Sequence, residues 1–170
     1  MNFLANLGRQ PLAWVLLFSS ALLLELTALY FQYAMNLQPC IMCIYQRTAV
    51  FGILFSALIP LLHNNILTRL AGYIGVGVSA IWGLLIAIEH VDLQTSKSIF
   101  SICEIVPNFP SWAPLHEWLP NIFAATGDCG DINWSFLGMS MPQWMIVVFA
   151  IYSALLVLVL LSKLINKKAR

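Results

Sequence analysis

Four apolar runs constrain this chain more than any other feature: 11–30 (PLAWVLLFSSALLLELTALY), 43–62 (CIYQRTAVFGILFSALIPLL), 70–88 (LAGYIGVGVSAIWGLLIAI) and 143–161 (QWMIVVFAIYSALLVLVLL). At 1.5 Å rise per residue, about twenty helical residues cross a ~30 Å hydrocarbon layer, which is the length of each run. Composition points the same way. The 170 residues are 61% hydrophobic and only 9% charged, where a soluble domain carries about a quarter charged residues. The pattern predicts an all-α membrane protein, a four-transmembrane-helix bundle forming a single domain over 1–170. The first run is too long for a cleaved signal, holds Glu25 and ends without a small-residue cleavage site, so it reads as an uncleaved first span.

The positive charges set the orientation. Arg9 precedes the first run, Arg69 lies between the second and third, and Lys163, Lys167, Lys168 and Arg170 follow the fourth. The positive-inside rule places both termini and the 63–69 turn in the cytoplasm, and the connections 31–42 and 89–142 outside. All four cysteines then fall on the outer side: Cys40 and Cys43 at the start of the second run, Cys103 and Cys129 in the long connection. In a bacterial-type cell that side of the inner membrane is the oxidising periplasm, where disulfides persist. A structural staple three residues long constrains little chain entropy. A Cys-X-X-Cys pair is better suited to reversible thiol chemistry or to metal binding.

Pro39 suits the beginning of a helix, which places Cys40 and Cys43 in its first turn, where unpaired backbone N–H groups favour thiolate. Arg47 follows Cys43 by four residues, on the same face one turn deeper. It is placed to stabilise a Cys43 thiolate or the oxygen of a bound ligand; the alternative is an arginine that snorkels and anchors the helix. Glu25 lies roughly 12 Å below the outer end of the first span, if that span reaches residue 33. Its candidate partner is Arg47, and the alternative is a neutral carboxyl hydrogen-bonded to a neighbouring helix. His90 stands at the outer end of the third span, beside Glu89. It either donates to a ligand carbonyl or is an interfacial histidine without a role. In the same span Gly75, Ser79, Gly83 and Ala87 recur every fourth residue, a small-residue stripe for close helix packing. Gly72, Gly75 and Gly77 follow no strand and make no phosphate loop.

The long connection 89–142 carries Pro107, Pro110, Pro114, Pro120 and Pro142, and loops of such length are usually functional or disordered. Within it SWAPLHEWLPNIF spaces Trp112, Leu115, Trp118 or Leu119, and Ile122 as a short interfacial amphipathic helix, tethering the loop to the lipid bilayer. Cys103 and Cys129 flank that helix, each beside an acidic residue, Glu104 and Asp128, that disfavours thiolate. A direction follows: an exposed, flexible loop pair takes electrons from a soluble dithiol partner, and the pair at the lipid boundary passes them on. Exchange between pairs needs a thiolate to attack a disulfide sulfur. The outlet must be a lipid-soluble two-electron acceptor, which a membrane quinone fits; no Cys/His set has haem or iron–sulfur spacing. Nucleic acid is not an expected partner.

The segments ELTALYFQ, QPCIMCIYQR, SICEIVPNFP, TGDCG and SFLGMSMPQW together resemble the disulfide bond formation protein B (DsbB) family, over Glu25 to Trp144. The resemblance implies a protein-disulfide:quinone oxidoreductase of the bacterial inner membrane, using ubiquinone or menaquinone. Cys103 resembles the cysteine that forms the mixed disulfide with a DsbA-like periplasmic thiol-disulfide oxidase, and Cys129 its loop partner. Cys40 resembles the cysteine that attacks the loop pair, and Cys43 the one that meets the quinone. Arg47 matches the arginine that assists quinone binding, and Glu25 and His90 fall at matching places as further cofactor-binding candidates. The 96–106 segment SKSIFSICEIV could select the partner, so a sister enzyme serving a dedicated oxidase stays open.

Two other classes compete. One is a four-helix carrier or channel with a Cys103–Cys129 staple, which leaves Cys40 and Cys43 without purpose. The other is a membrane metalloprotein using four thiolates, whose wide Cys43–Cys103 and Cys103–Cys129 separations do not match compact zinc motifs. Which quinone, which soluble partner, which resting disulfides and which oligomeric state stay open at this level.

Overall fold

The computed structural model describes residues 10–95 and 107–168. Its frame is four long helices, α1 (Pro11–Tyr33), α2 (Ile41–Leu62), α3 (Ile66–Thr95) and α6 (Met141–Lys168), with α4 (Leu115–Trp118), α5 (Pro120–Phe123) and a hairpin of β1 (Ser135–Phe136) and β2 (Met139–Ser140) between α3 and α6. The four long helices are each apolar and long enough to span a membrane. A helix satisfies its own backbone groups, which hydrocarbon demands of any spanning segment. The protein is thus an all-α, four-transmembrane-helix bundle.

Helix α3 continues well past the apolar run, to Thr95. Hydropathy falls after Ile88, but EHVDLQT contains neither glycine nor proline to end a helix. The extension carries His90 and Gln94 towards the end of the bundle that holds Cys40. At the opposite end the turn between α2 and α3 is closed by Asn65: its Oδ1 accepts from the Thr68 N–H at 2.9 Å, and its own N–H donates to Thr68 Oγ1 at 3.1 Å. This is reciprocal capping of α3.

Helix α2 is the most buried, packed between α1 and α3, while α6 lies against α3. Small residues set the spacing. A Cβ added to Gly52 would fall 3.1 Å from the Ser79 Cβ, and one added to Gly75 would fall 2.9 Å from the Ser56 Cβ. Each helix therefore lends a glycine to the other's serine. The expected stripe on α3 divides: Gly75 and Ser79 meet α2, while Gly83 lies beneath the ring of Phe149 on α6. Between membrane helices such close approach gains dispersion contact, because burial from lipid gives no hydrophobic drive. A Tyr152–Ser20 hydrogen bond of 3.0 Å links α6 to α1. Leucines and isoleucines such as Leu23, Ile74 and Leu158 remain on the outside, as lipid-facing positions require.

The connection between α3 and α6 docks onto the bundle. The Thr126 and Gly127 N–H groups both donate to the Pro39 carbonyl at 3.0 Å, and Thr126 Oγ1 donates to Gln38 Oε1 at 2.8 Å. Glycine is required at 127, because a Cβ there would sit 2.4 Å from the Gln38 carbonyl oxygen. The expected amphipathic helix occurs as two single turns, α4 and α5. Pro120 has no N–H to continue the ladder, and Leu119 breaks it with φ −133° and ψ 63°. Trp112 and Trp118 point outward, 79% and 61% exposed. The hairpin was not foreseen. Leu137 (φ 52°) and Gly138 (φ 78°) both take the left-handed conformation that a tight two-residue hairpin uses, and the Trp144 indole N–H holds the Phe136 carbonyl at 3.1 Å.

Candidate active site

Cys40 and Cys43 are brought together by the start of α2. Cys40 is the cap itself rather than a first-turn residue: its backbone is extended (φ −81°, ψ 172°) and its sulfur accepts the Cys43 N–H at 3.3 Å. The two Sγ atoms lie 2.7 Å apart as free thiols. The hydrogen bond with Cys43, and then burial, push the Cys40 thiol above its ordinary range, against an opposing hydrogen bond with His90.

His90 reaches this pair from α3. Its Nε2 is 3.6 Å from Cys40 Sγ, and its Nδ1 is 3.2 Å from Gln46 Nε2. An amide nitrogen donating to Nδ1 leaves the ring proton on Nε2, directed at the Cys40 sulfur. His90 is 2% exposed and Gln46 4%, so both side chains are closed to solvent. His90 thus stands buried beside Cys40 rather than at an exposed interface.

One turn deeper, Arg47 joins three elements. Its Nη1 donates to Gln32 Oε1 of α1 at 2.8 Å and to the Ile122 carbonyl of α5 at 2.5 Å, and its Nε lies 3.9 Å from Glu25 Oε2. Gln32 and Tyr33 also donate to the Asn121 carbonyl, so α1 and α2 together hold α5 over the arginine. The guanidinium is buried among protein groups and does not extend to solvent. Both Glu25 carboxyl oxygens and Arg47 Nε are buried without a hydrogen-bond partner among the described residues. The hydrogen bond to a neighbouring helix considered for Glu25 is absent from these residues. Unmet buried polar atoms of this kind mark a place for a ligand or water.

These groups face one cavity of about 240 Å³ at the Cys40 end of the helices, lined by Glu25, Cys40, Cys43, Arg47 and His90 and walled by apolar side chains such as Phe31 and Met145. The cavity offers a dithiol and a buried charge pair to a flat, largely apolar ligand. A quinone fits that donor set: the wall is apolar, and the unmet polar atoms suit a molecule with few polar atoms.

Cys129 departs from expectation. The loop cysteines were expected to be exposed, yet Cys129 is 1% exposed and packs in one buried cluster with Cys40 and Ile41. The docking of Thr126 and Gly127 on Pro39 carries it there. It is disulfide-bonded and does not titrate, so a thiol shift from Asp128 has no bearing on this state; the Asp128 carboxylate instead accepts the Gly130 N–H at 2.7 Å. Cys103 and the 96–106 segment lie outside the described residues. Gln32, Gln46, Gly127 and the Ile122 carbonyl were missed by sequence reasoning. Gln46 had a signal, being a polar residue inside an apolar run and one turn from Cys43; the others had none.

A family model described as disulfide bond formation protein DsbB matches residues 10–159. Similar proteins include the disulfide bond formation protein B of Pseudoalteromonas atlantica, 62% identical over 170 residues and covering 99% of both chains. That of Psychromonas ingrahamii is 50% identical over 169 residues, covering 99% of this chain and 91% of the relative. That of Histophilus somni is 50% identical over 170 residues, with 99% and 94% covered.

Proposed function

The chain belongs to the disulfide bond formation protein DsbB family, and from that premise we propose that it is a membrane thiol:quinone oxidoreductase that reoxidises a DsbA-like periplasmic thiol-disulfide oxidase. In this reading it lies in the bacterial inner membrane with both termini cytoplasmic. Its spans are centred on 11–30, 43–62, 70–88 and 143–161, and the connections 31–42 and 89–142 are periplasmic. The observation that carries the proposal is the shared cavity: a free dithiol, Cys40 and Cys43, opens onto the same space as the unmet polar atoms of Glu25 and Arg47.

The chain's own groups divide the work. Two thiols of the soluble partner surrender an electron pair to the loop disulfide, for which Cys103 and Cys129 are the proposed sulfurs. The loop dithiol then reduces a Cys40–Cys43 disulfide by exchange: one sulfur–sulfur bond breaks as the other forms, and two protons move with the electron pair. Cys129 supports this route by packing against Cys40. His90, held by Gln46, directs its N–H at the Cys40 sulfur and so supports Cys40 as the thiolate released when the loop dithiol opens the Cys40–Cys43 disulfide. Arg47 and Glu25 are the residues that would hold ubiquinone or menaquinone. When bound, the quinone supplies a sink for two electrons and two protons.

Purified protein in a bilayer mimetic, given a reduced DsbA-like protein and a water-soluble quinone analogue, tests the proposal. One quinone should be reduced for each dithiol oxidised, at equal rates. Thiol oxidation that runs without quinone loss would overturn it.

A further inference from the structure

We propose that, in the dithiol state, Cys40, Cys43 and His90 form a Cys₂His site for a borderline-soft divalent ion of the zinc class. The three ligand atoms all lie within 4.8 Å of one another, although His90 is far from the cysteines in sequence. Tetrahedral zinc with Zn–S of about 2.3 Å and Zn–N of about 2.0–2.1 Å holds sulfur and nitrogen about 3.6 Å apart. The Cys40 Sγ–His90 Nε2 distance is 3.6 Å. The two sulfurs, 2.7 Å apart, must part to about 3.8 Å, which a side-chain rotation of Cys43 accomplishes.

The surroundings are those of a metal site. A ligating histidine is normally fixed through its other ring nitrogen, and Gln46 stands 3.2 Å from His90 Nδ1. Rotating that amide to present its oxygen gives Nδ1 an acceptor and turns the Nε2 lone pair to the sulfurs. The Cys43 N–H already donates to Cys40 Sγ and supports it as a thiolate. All three ligands line the cavity, which leaves a fourth position for water. Binding displaces two thiol protons and moves no electrons: two thiolates and a neutral imidazole replace two thiols. A Cys40–Cys43 disulfide offers no thiolate, so the site exists only when the pair is reduced. A bound ion then competes with sulfur exchange and holds the dithiol whenever an electron acceptor is scarce.

The inference rests on the proposed function only in that the pair cycles between dithiol and disulfide. Full-length protein, reduced and handled without oxygen, is titrated with Co²⁺ and then Zn²⁺. Reduced protein should bind one ion per chain and show sulfur-to-cobalt charge-transfer absorption that Zn²⁺ abolishes. The same chain oxidised at Cys40–Cys43 should not, a control that needs no substitution. His90→Phe should bind at least about 100-fold more weakly, and Gln46→Leu about 10–100-fold. Absence of the charge-transfer band in reduced protein, equal binding by oxidised protein, or undiminished binding by His90→Phe would each overturn the site. Metal-free turnover with quinone, measured on the same preparation, reads the oxidoreductase proposal separately.

Discussion

Cys40 with Cys43 and the Cys129 segment lie side by side but are held by different physics. The first pair is seated on the end of a long, buried helix, joined by an N–H···S cap and backed by His90 and Arg47. Its position relative to the cavity is as rigid as α2. Cys129 belongs to a stretch without regular structure, held by two backbone hydrogen bonds to one carbonyl, that of Pro39, by one side-chain bond to Gln38, by its disulfide and by packing against Cys40 and Ile41. Releasing that segment means breaking a few hydrogen bonds, each worth about 1 kcal/mol net, and exposing the buried Cys129; moving Cys43 means unpacking a helix. The difference teaches how one sulfur cluster can combine a fixed part with a docked one: Cys40 and Cys43 move only with α2, while Cys129 sits on a loop docked against it.

That contrast can be broken at several points. The largest effect is expected from Cys43→Ser, which should lower quinone reduction by about 10³-fold or more while Cys129 stays disulfide-bonded; absorbance of the quinone and a thiol-labelling gel read the two halves. Arg47→Met comes next. It should raise KM for quinone by roughly 10–100-fold, and leaving Glu25 without its cation should cost about 3 kcal/mol. Adding Glu25→Gln should restore the thermal midpoint but not the KM.

Gly127→Ala probes the docked side. A Cβ 2.4 Å from the Gln38 oxygen forces the segment off Pro39, at about 1–3 kcal/mol. Exchange between the sulfur pairs should slow several-fold, and the Thr126 and Gly127 amides should lose hydrogen-exchange protection while α2 keeps its own. Unchanged protection would mean the two regions are equally rigid. The smallest effect is a pH shift. Cys43 is the main cause of the raised Cys40 thiol, so Cys43→Ala should move the midpoint of Cys40 alkylation to lower pH, because thiolate then forms sooner as pH rises. An unmoved or raised midpoint would remove Cys43 as that cause.

Unbroken apolar length made the four helices legible, because lipid tolerates so few backbone solutions. Their ends were less so: α3 overran its apolar run because polar helix formers do not stop a helix, and Pro120 cut the amphipathic segment in two. At the site, Cys40, Cys43 and Arg47 could be grouped from local spacing, and Glu25 was matched to Arg47 on charge alone. His90 could be noticed but not joined to the cysteines, since its contact with Cys40 crosses from α3 to α2. Cysteine spacing speaks against a site of four thiolates, and it cannot register a histidine contributed by another helix.

The amino-acid sequence by itself determined the bundle, the asymmetry of its charges and the presence of four cysteines, because hydrophobic length, charge placement and residue type are written locally. Only the tertiary structure decided that Cys129 is buried against Cys40, that Gln46 holds His90, and that α5 closes over Arg47. Those outcomes depend on which helix faces pack and where one backbone carbonyl, at Pro39, receives a distant loop. Such choices arise from non-local contacts, and no window of sequence contains both partners.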